Sequence, residues 1–213
     1  MKKTIRAIAG TLLAMALVGC TASLPNKDGN LAVWRSPALG LWFNRPAECA
    51  AQLGISLTEA ALPGDADIAL YFGVSPADAG QAYQVGTGVV SVVSNEPALA
   101  GTAIETLRTW FTTAPTDGMD VIVYPPSDDI MAAVSQPLLG GKPVYSGAIL
   151  ALDNQQMIIG VMGAGANIGL LPAPLVTAQL TVLHQFEDIP VLATTKTTPT
   201  GLAQALIACL QQP

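Results

Sequence analysis

The first twenty residues determine which part of this chain is left to fold. The chain starts with three basic residues within six positions, and residues 7–18 then carry no charge and only one polar side chain, Thr11. About a dozen apolar residues are too few to cross a bilayer as a helix, which takes ~20. A basic start, a short apolar run and small residues at its end are typical of an export signal. The sequence therefore predicts a signal peptide over residues 1–19.

The apolar run ends in Leu17-Val18-Gly19-Cys20. These four residues resemble the lipobox of bacterial lipoproteins, in which Leu, a small or branched residue, and Gly or Ala precede a Cys. The resemblance covers residues 1–20 alone. It implies a thioether-linked lipid on Cys20, cleavage before it, and acylation of the new amino terminus. Two or three acyl chains anchor a protein firmly, because each buried methylene contributes ~0.8 kcal/mol. The alternative is an ordinary secretory signal that happens to end in Cys.

The residue after Cys20 is Thr21 rather than Asp. In lipoproteins of double-membraned bacteria, Asp at this position often signals retention in the inner membrane, so the resemblance implies an outer-membrane anchor with the protein facing the periplasm. Residues 20–30 are polar and contain Pro25 and Gly29, which predicts a flexible tether. Residues 31–213 are long enough for one sizeable core and show no repeat or linker, so we expect a single globular domain.

The charge of the exported chain limits its partners. The leader contains three of the nine basic residues and none of the fifteen acidic ones, which leaves six basic and fifteen acidic residues and a net charge of −9. An acidic surface disfavours nucleic acid and anionic lipid headgroups. We therefore expect no nucleic-acid binding, a membrane contact through the lipid on Cys20, and an envelope protein or an apolar ligand as the further partner.

Two cysteines remain once Cys20 is lipidated. Cys49 lies four residues before Leu53, and Cys209 lies three residues after Leu206, so each sulfur is expected on the apolar face of a short helix. An exported compartment permits disulfides, and an even number of cysteines fits one bridge. The sequence thus predicts a Cys49–Cys209 disulfide, and two separate buried thiols are the alternative.

Apolar runs and turn residues alternate along most of the domain. This pattern favours an α/β or α+β sandwich, with one mixed β-sheet and flanking helices. The expected strands are 39–43, 66–74, 85–94, 119–124, 144–152, 156–162 and 189–193, with 144–152 and 156–162 forming a hairpin. The expected helices are 44–53, one beginning at 75–78, 97–111, 127–135, 172–186 and 200–211.

Residues 154–186 contain no Asp, Glu, Lys or Arg. A second contact with the membrane, or an apolar groove for a partner, is one interpretation of residues 157–176, since Gly165 and Gly169 form a small-xxx-small pair. The glycines and prolines of this segment interrupt a continuous span, however. We therefore favour a strand, a turn and a helix buried in the core.

No pattern in the sequence indicates a catalytic, metal or cofactor site. His184 is the one histidine, and Asp188 follows four residues later, but a G-x-S-x-G nucleophile motif is missing. The glycines between Gly163 and Gly169 are spaced G-x-G-x-x-x-G, one residue longer than the dinucleotide fingerprint. The acids at 65 and 67, and at 117 and 120, are too sparse for a calcium loop. We expect a non-enzymatic binding or assembly protein, and the alternative is a periplasmic hydrolase that uses His184 or a pair of carboxylates.

Replacement of Cys20 by Ala should release the protein from membranes, because the variant has no thiol to accept a lipid. Sedimentation of membranes from cells that express wild type or Cys20→Ala, followed by immunodetection, measures this. The double variant Cys49→Ser/Cys209→Ser is the matched control and should stay in the membrane fraction. A Cys20→Ala protein that still sediments with membranes would reveal a second insertion site.

Overall fold

The computed structural model describes residues 29–40, 43–115 and 118–212. These residues form a mixed sheet of eight strands in the order β2-β1-β3-β8-β4-β7-β5-β6. The strands are β1 (Asn30–Arg35), β2 (Ser56–Glu59), β3 (Ile68–Phe72), β4 (Gln81–Ser94), β5 (Met119–Val123), β6 (Ile149–Leu150), β7 (Ala166–Pro172) and β8 (Thr181–Thr195). The helices are α1 (Arg45–Leu53), α2 (Ile104–Thr112), α3 (Asp129–Val134), α4 (Asn154–Val161) and α5 (Gly201–Leu210). The predicted α/β fold with a mixed sheet and flanking helices is confirmed.

Two long antiparallel strands, β4 and β8, run through the middle of the sheet. Their pairing is interrupted between Gly88 and Val90, where Gly88 lies opposite Ile189 and Val90 lies opposite Phe186. The bulge places Asp188 in the left-handed region with φ 57°. We call residues 88–90 of β4 and 186–189 of β8 the crossover.

The crossover divides the molecule into two lobes. The first lobe contains β1–β3, α1 and α5, together with the start of β4 and the end of β8. The second lobe contains β5–β7 and α2–α4, together with the end of β4 and the start of β8. Both lobes therefore share one continuous backbone ladder, and the second lobe is formed by the single segment between β4 and β8.

The central strands are buried because helices cover the sheet. All five residues of β3 are buried, and so are residues 167–172 of β7. Strands buried on both faces are continuously apolar rather than alternating. This fits the apolar run of β3, and the strands expected at 66–74, 85–94, 119–124 and 189–193 are confirmed as β3, part of β4, β5 and part of β8.

The predicted hairpin at 144–152 and 156–162 is wrong. Only residues 149–150 form a strand, and residues 154–161 form α4. The Asp153 side chain accepts a hydrogen bond of 2.8 Å from the Gln156 N–H, which caps the start of α4. Met157 and Val161 are both buried and stand four residues apart on one helix face. A capped helix of eight residues therefore forms where the apolar run alone suggested a strand.

The predicted helix over 172–186 is also wrong. Residues 166–172 form β7, and β8 begins at Thr181. Val182 is exposed, whereas Leu183 and Phe186 are buried. The two buried residues are three positions apart, which fits a helix as well as a bulged strand. Because β8 pairs with β4 along nearly its whole length, the ladder determines the structure and local spacing does not.

Two shorter predictions also fail. Residues 37–40 form a turn instead of the start of the strand expected at 39–43, and residues 77–78 form a turn where a helix was expected to begin at 75–78. The helix expected over 97–111 is divided into a 3₁₀ turn at Pro97–Leu99 and α2. Gly101 has φ 77°, a left-handed conformation that ends the 3₁₀ turn.

The helices expected at 44–53, 127–135 and 200–211 are confirmed as α1, α3 and α5, and their ends agree with the expected ones within two residues. Helix α3 begins at Asp129, directly after its N-cap residue Asp128.

Part of the charge-free segment 154–186 lies in the core, and part of it is exposed. Met157, Val161, Ile168, Leu170 and Leu171 are buried in the main hydrophobic cluster. Its glycine-rich bend is held by Asn95, whose side-chain amide donates to the carbonyls of Gly163 and Gly165 at 2.9 Å each. Among the described residues, the longest apolar helices fall short of what a bilayer crossing needs.

A disulfide joins Cys49 in α1 to Cys209 in α5, as the cysteine spacing predicts. The two Cα atoms are 5.8 Å apart, and 160 positions separate the residues along the chain. Both cysteines are buried where α1 and α5 pack against each other. The bridge therefore fixes the two ends of the domain to one another within the first lobe.

The double variant Cys49→Ser/Cys209→Ser should lose about 2–5 kcal/mol of unfolding free energy, because removing the bridge frees a long loop in the unfolded chain. Denaturant unfolding of both proteins measures the loss. Thiol labelling of the unfolded, unreduced wild type is the companion experiment and should find neither Cys49 nor Cys209 free. Labelling of both cysteines would contradict the bridge.

Candidate functional site

The carboxyl ends of the parallel strands in the two lobes face each other across the crossover. Phe72, at the end of β3, pairs with Val191, just beyond the crossover in β8. Pro172, at the end of β7, pairs with Val90 on the other side. Since β1 and β2 run parallel to β3, and β5 and β6 run parallel to β7, all six strands end at one cleft. In open α/β sheets, ligands bind outside the carboxyl ends of the strands.

One carboxylate crosses this cleft. Asp129 lies in the first turn of α3 in the second lobe, and its Oδ2 accepts a hydrogen bond of 3.1 Å from the backbone N–H of Phe72 in the first lobe. The Ser36 side chain, which follows β1, also hydrogen-bonds the Asp129 carboxylate. Ser36 is 1% exposed, and its Oγ accepts a further bond of 3.1 Å from the Ala38 N–H. Asp129 therefore joins the two lobes through two donors on the first.

The lobes also touch through small residues beside Asp129. Gly73 follows β3 with φ 85°, and a Cβ on it would lie 2.5 Å from the Cβ of Ala133. Ala133 and Asp129 stand four residues apart in α3, so they share the helix face that meets the end of β3. Across the same cleft, a Cβ on Gly40 would lie 3.2 Å from Nδ2 of Asn154. Both glycines thus allow an approach that a larger residue would prevent.

The second-lobe wall of the cleft is acidic. Burial raises the pKa of Asp128 to about 6, with a smaller contribution from the neighbouring Asp129, although the Ile130 N–H that it accepts acts in the opposite direction. Burial likewise raises the pKa of Asp129, against the lowering effect of the Phe72 N–H and of Ser36. Tyr124 is buried next to Asp128 and Asp153, which raises its pKa, and its hydroxyl donates to Oδ1 of Asn154 at 2.7 Å.

A cavity of about 430 Å³ opens beside this contact, at the crossover. Its wall combines Gly73 and Val74 of the first lobe, Ala133 and Pro137 of the second, and residues 185–190 of the crossover. Val74 is 54% exposed, which is high for an apolar side chain. Glu187 and Asp188 supply two carboxylates. The volume lies in the range of small-molecule sites, roughly 300–1,000 Å³. We call this space the crossover cavity.

His184 does not lie in this cavity. It sits in β8 opposite Val92, and its ring packs edge-on against the Phe186 ring with 4.7 Å between centroids. Among the described residues, His184 forms no hydrogen bond with a serine or a carboxylate, and the nearby Ser91 hydroxyl instead accepts one from Gln185. The expectation that it ends a helix is wrong, because residues 181–195 form β8.

The carboxylates that the sequence singled out are separated. Asp67 accepts a hydrogen bond of 2.8 Å from the Ala32 N–H, Asp65 lies in a 3₁₀ turn, and Asp120 is exposed on β5. Within the described ranges, no three His, Cys, Asp or Glu side chains come together as metal ligands. Gly163 to Gly169 lead into strand β7 rather than into a helix, so they lack the helix terminus that binds a dinucleotide phosphate. Cys20 and Asp117 fall outside the described residues.

Sequence reasoning missed Ser36, Gly73 and Asp129 as a group. Asp128 and Asp129 fall at the start of the helix expected over 127–135, and Asp128 caps α3 by accepting a hydrogen bond of 2.8 Å from the Ile130 N–H. The signal that was available is that all three residues follow within a few positions of a buried strand. Their meeting depends on the two lobes facing each other, and local sequence does not encode that arrangement.

The chain matches no protein-family model, and a search of curated proteins finds no match. Solved structures do share its fold. A Clostridium perfringens protein described as a phosphate ABC transporter substrate-binding protein, with bound phosphate, is 11% identical with a TM-score of 0.70, over 85% of this chain and 93% of that one. The reduced regulatory domain of OxyR2 from Vibrio vulnificus is 14% identical with a TM-score of 0.64, over 88% and 95% of the two chains.

A third structure is the regulatory domain of CcmR from Synechocystis in complex with 2-PG. It is 16% identical with a TM-score of 0.63, and the match covers 86% of this chain and 96% of that one. At such low identities the likeness establishes the fold alone. The chain has the two-lobed α/β fold of substrate-binding proteins and regulatory domains of this kind.

Asp128→Asn should make the protein more stable at neutral pH, because Asn caps a helix as well as Asp but carries no charge to bury. The raised pKa means that the folded state retains a proton that the unfolded state has lost between pH 3.8 and about 6, so wild-type stability falls as pH rises through this window. The full effect is at most about 3 kcal/mol. Denaturant unfolding measures this change in unfolding free energy, over a range of roughly pH 3 to pH 8 that includes both pKa values.

The variant should show a flatter pH profile than wild type in that window. Asp153→Asn is the matched control, since Asp153 caps α4 in the same way in an exposed position. Equal pH profiles for wild type and Asp128→Asn would contradict the burial of this charge.

Proposed function

We propose that this protein is a lipid-anchored envelope protein that binds a small solute between its two lobes and does not transform it. The observation that carries the proposal is the crossover cavity, which lies beside the carboxyl end of β3 and is lined by residues of both lobes. Ligands of open α/β sheets bind at such ends. Two lobes joined by two strands can also close around a solute by a hinge motion.

The lining of the cavity indicates the class of solute. Val74, Ala133, Pro137 and Ile189 give it an apolar wall, and the polar groups beside them are Gln185 and the carboxylates of Glu187 and Asp188. Carboxylates repel anions and attract cations. The fold neighbours were solved with phosphate and with 2-PG, whereas this wall suits an apolar molecule with a neutral or cationic polar end.

The location rests on the sequence. The lipobox-like Leu17-Val18-Gly19-Cys20 supports lipidation of Cys20, and Thr21 supports an outer-membrane anchor facing the periplasm. The Cys49–Cys209 disulfide is consistent with an oxidising compartment. Because β1 begins at Asn30, only about ten residues join the anchor to the first lobe.

A second candidate function is assembly with an envelope protein. Strand β6 is the last strand of the sheet, and its Ile149 and Leu150 are 49% and 57% exposed. Exposed apolar edge strands invite pairing with another chain. This surface lies in the second lobe, at the opposite edge of the sheet from β1 and β2.

The solute-binding proposal is tested on residues 21–213 exported behind a secretory signal without a lipobox, so that detergent does not compete for the cavity. Native mass spectrometry of the purified protein should show a bound small molecule, and thermal unfolding should shift upward with hydrophobic amines such as octylamine. Val74→Gln should weaken octylamine binding about tenfold, because it puts an uncharged polar amide into an apolar part of the wall.

Leu62→Gln is the matched control. Leu62 is an exposed apolar residue of the first lobe, 61% accessible, and does not line the cavity. The Leu62→Gln variant should bind octylamine like wild type. Equal binding by Val74→Gln and wild type would place the solute elsewhere. Recovery of a stoichiometric envelope protein that is lost on Leu150→Lys would favour assembly instead.

A further inference from the structure

The two donors that receive Asp129 form a recognisable group. The Phe72 N–H at the end of β3 and the Ser36 side chain after β1 both hydrogen-bond one carboxylate. A backbone N–H and a hydroxyl that converge on one point are the means by which proteins bind oxyanions. Both donors belong to the first lobe, whereas the carboxylate comes from the second.

These donors are also held in place by contacts that do not involve Asp129. Ser36 is held by its own N–H, which donates to the Leu70 carbonyl at 2.9 Å, and by the Ala38 N–H, which donates to its Oγ. The end of β3 is held by the Gly73 N–H, which donates to the Pro190 carbonyl at 2.7 Å. A buried donor that loses its acceptor costs about 1–3 kcal/mol. The first lobe thus presents a preorganised position for one carboxylate.

We propose that Ser36 and the Phe72 N–H form a carboxylate-binding site whose occupant is the protein's own Asp129. The bond holds the two lobes together and excludes free anions from the cleft. Ala133, four residues further along α3, packs against Gly73 and places Asp129 at this position. A free carboxylate can enter only when the Asp129 side chain has been removed.

This inference rests on the proposed function only in treating the cleft as the ligand position. It adds that the cleft rejects anions because a carboxylate already occupies it. Octylamine binding reports on the crossover cavity, whereas the experiment below uses small anions and reports on Ser36 and Phe72. The solute-binding proposal and the carboxylate-site proposal can therefore be contradicted independently of each other.

The test is chemical rescue of Asp129→Ala in the full-length protein. The variant should be less stable than wild type, because it leaves the two donors without an acceptor. Sodium formate, compared with sodium chloride at equal ionic strength, should raise its melting temperature along a saturable curve, by about 3–6 °C at a tenfold excess over Kd. Wild type should show no difference between the two salts.

Two variants separate rescue from a general salt effect. Asp129→Asn retains both the volume and an acceptor oxygen, so formate should not stabilise it. Asp153→Ala removes an exposed carboxylate that caps α4 in the same lobe, and solvent already fills that position, so formate should not rescue it either. Absence of a formate-specific effect in Asp129→Ala, or an equal effect in wild type, overturns the proposal.

A measurement on wild type keeps the proposal testable if Asp129→Ala does not fold. The amide proton of Phe72, followed by ¹H–¹⁵N NMR, should move downfield as the carboxylate beside it ionises with rising pH. The same titration of Asp129→Asn should lack this movement. A Phe72 amide that titrates identically in both proteins overturns the proposal.

Discussion

The rest of the structure depends on the antiparallel pairing of β4 with β8. These two strands have 14 and 15 residues, and their ladder passes through both lobes. Each lobe completes its own sheet on one end of this pair, β3 against β8 in the first lobe and β7 against β4 in the second. The directions of all other strands, and therefore the cleft at their carboxyl ends, follow from this one pairing. The bulge at Asp188 is one of three points at which the ladder changes register.

The cleft is closed by close contacts between α3 and the end of β3. The approach of α3 to the end of β3 requires Gly73 and Ala133, because a larger side chain at either position would meet the other. That approach also brings the Asp129 carboxylate to the Phe72 N–H, where burial raises the pKa of the carboxyl. Steric fit and hydrogen bonding therefore favour the same closed arrangement. The acidic second-lobe wall distinguishes this cleft from one designed for a phosphate.

The sequence predicted elements whose local signals agree with the ladder. Helix α5 and strand β3 were recognised because the periodicity of one and the continuous apolar run of the other match their final environments. The sequence prediction failed at residues 156–161, a mostly apolar run, and at residues 181–186, where buried residues three positions apart fit a helix as well as a strand. There, a cap at Asp153 and pairing with β4 decided between helix and strand. The Cys49–Cys209 pair was predictable because counting left one partner for each thiol.

The candidate site was not predictable in the same way. Ser36 and Asp129 are 93 positions apart, and each follows an ordinary strand with no motif around it. Only the crossing of two lobes brings them together, and that is a property of the topology. The alternation of strands and helices indicates a sheet with covered faces, but it does not indicate which strand ends will meet.

The Cys49–Cys209 bridge has a consequence for the second lobe. Its 160-position span encloses every residue between β4 and β8, so the whole second lobe lies inside one covalent ring. A single protease cut in any surface loop of that lobe opens the ring but releases nothing. The two fragments remain linked, with one molecular mass before reduction and two bands after it. A protein built in this way can be nicked in its second lobe and still keep all its parts together.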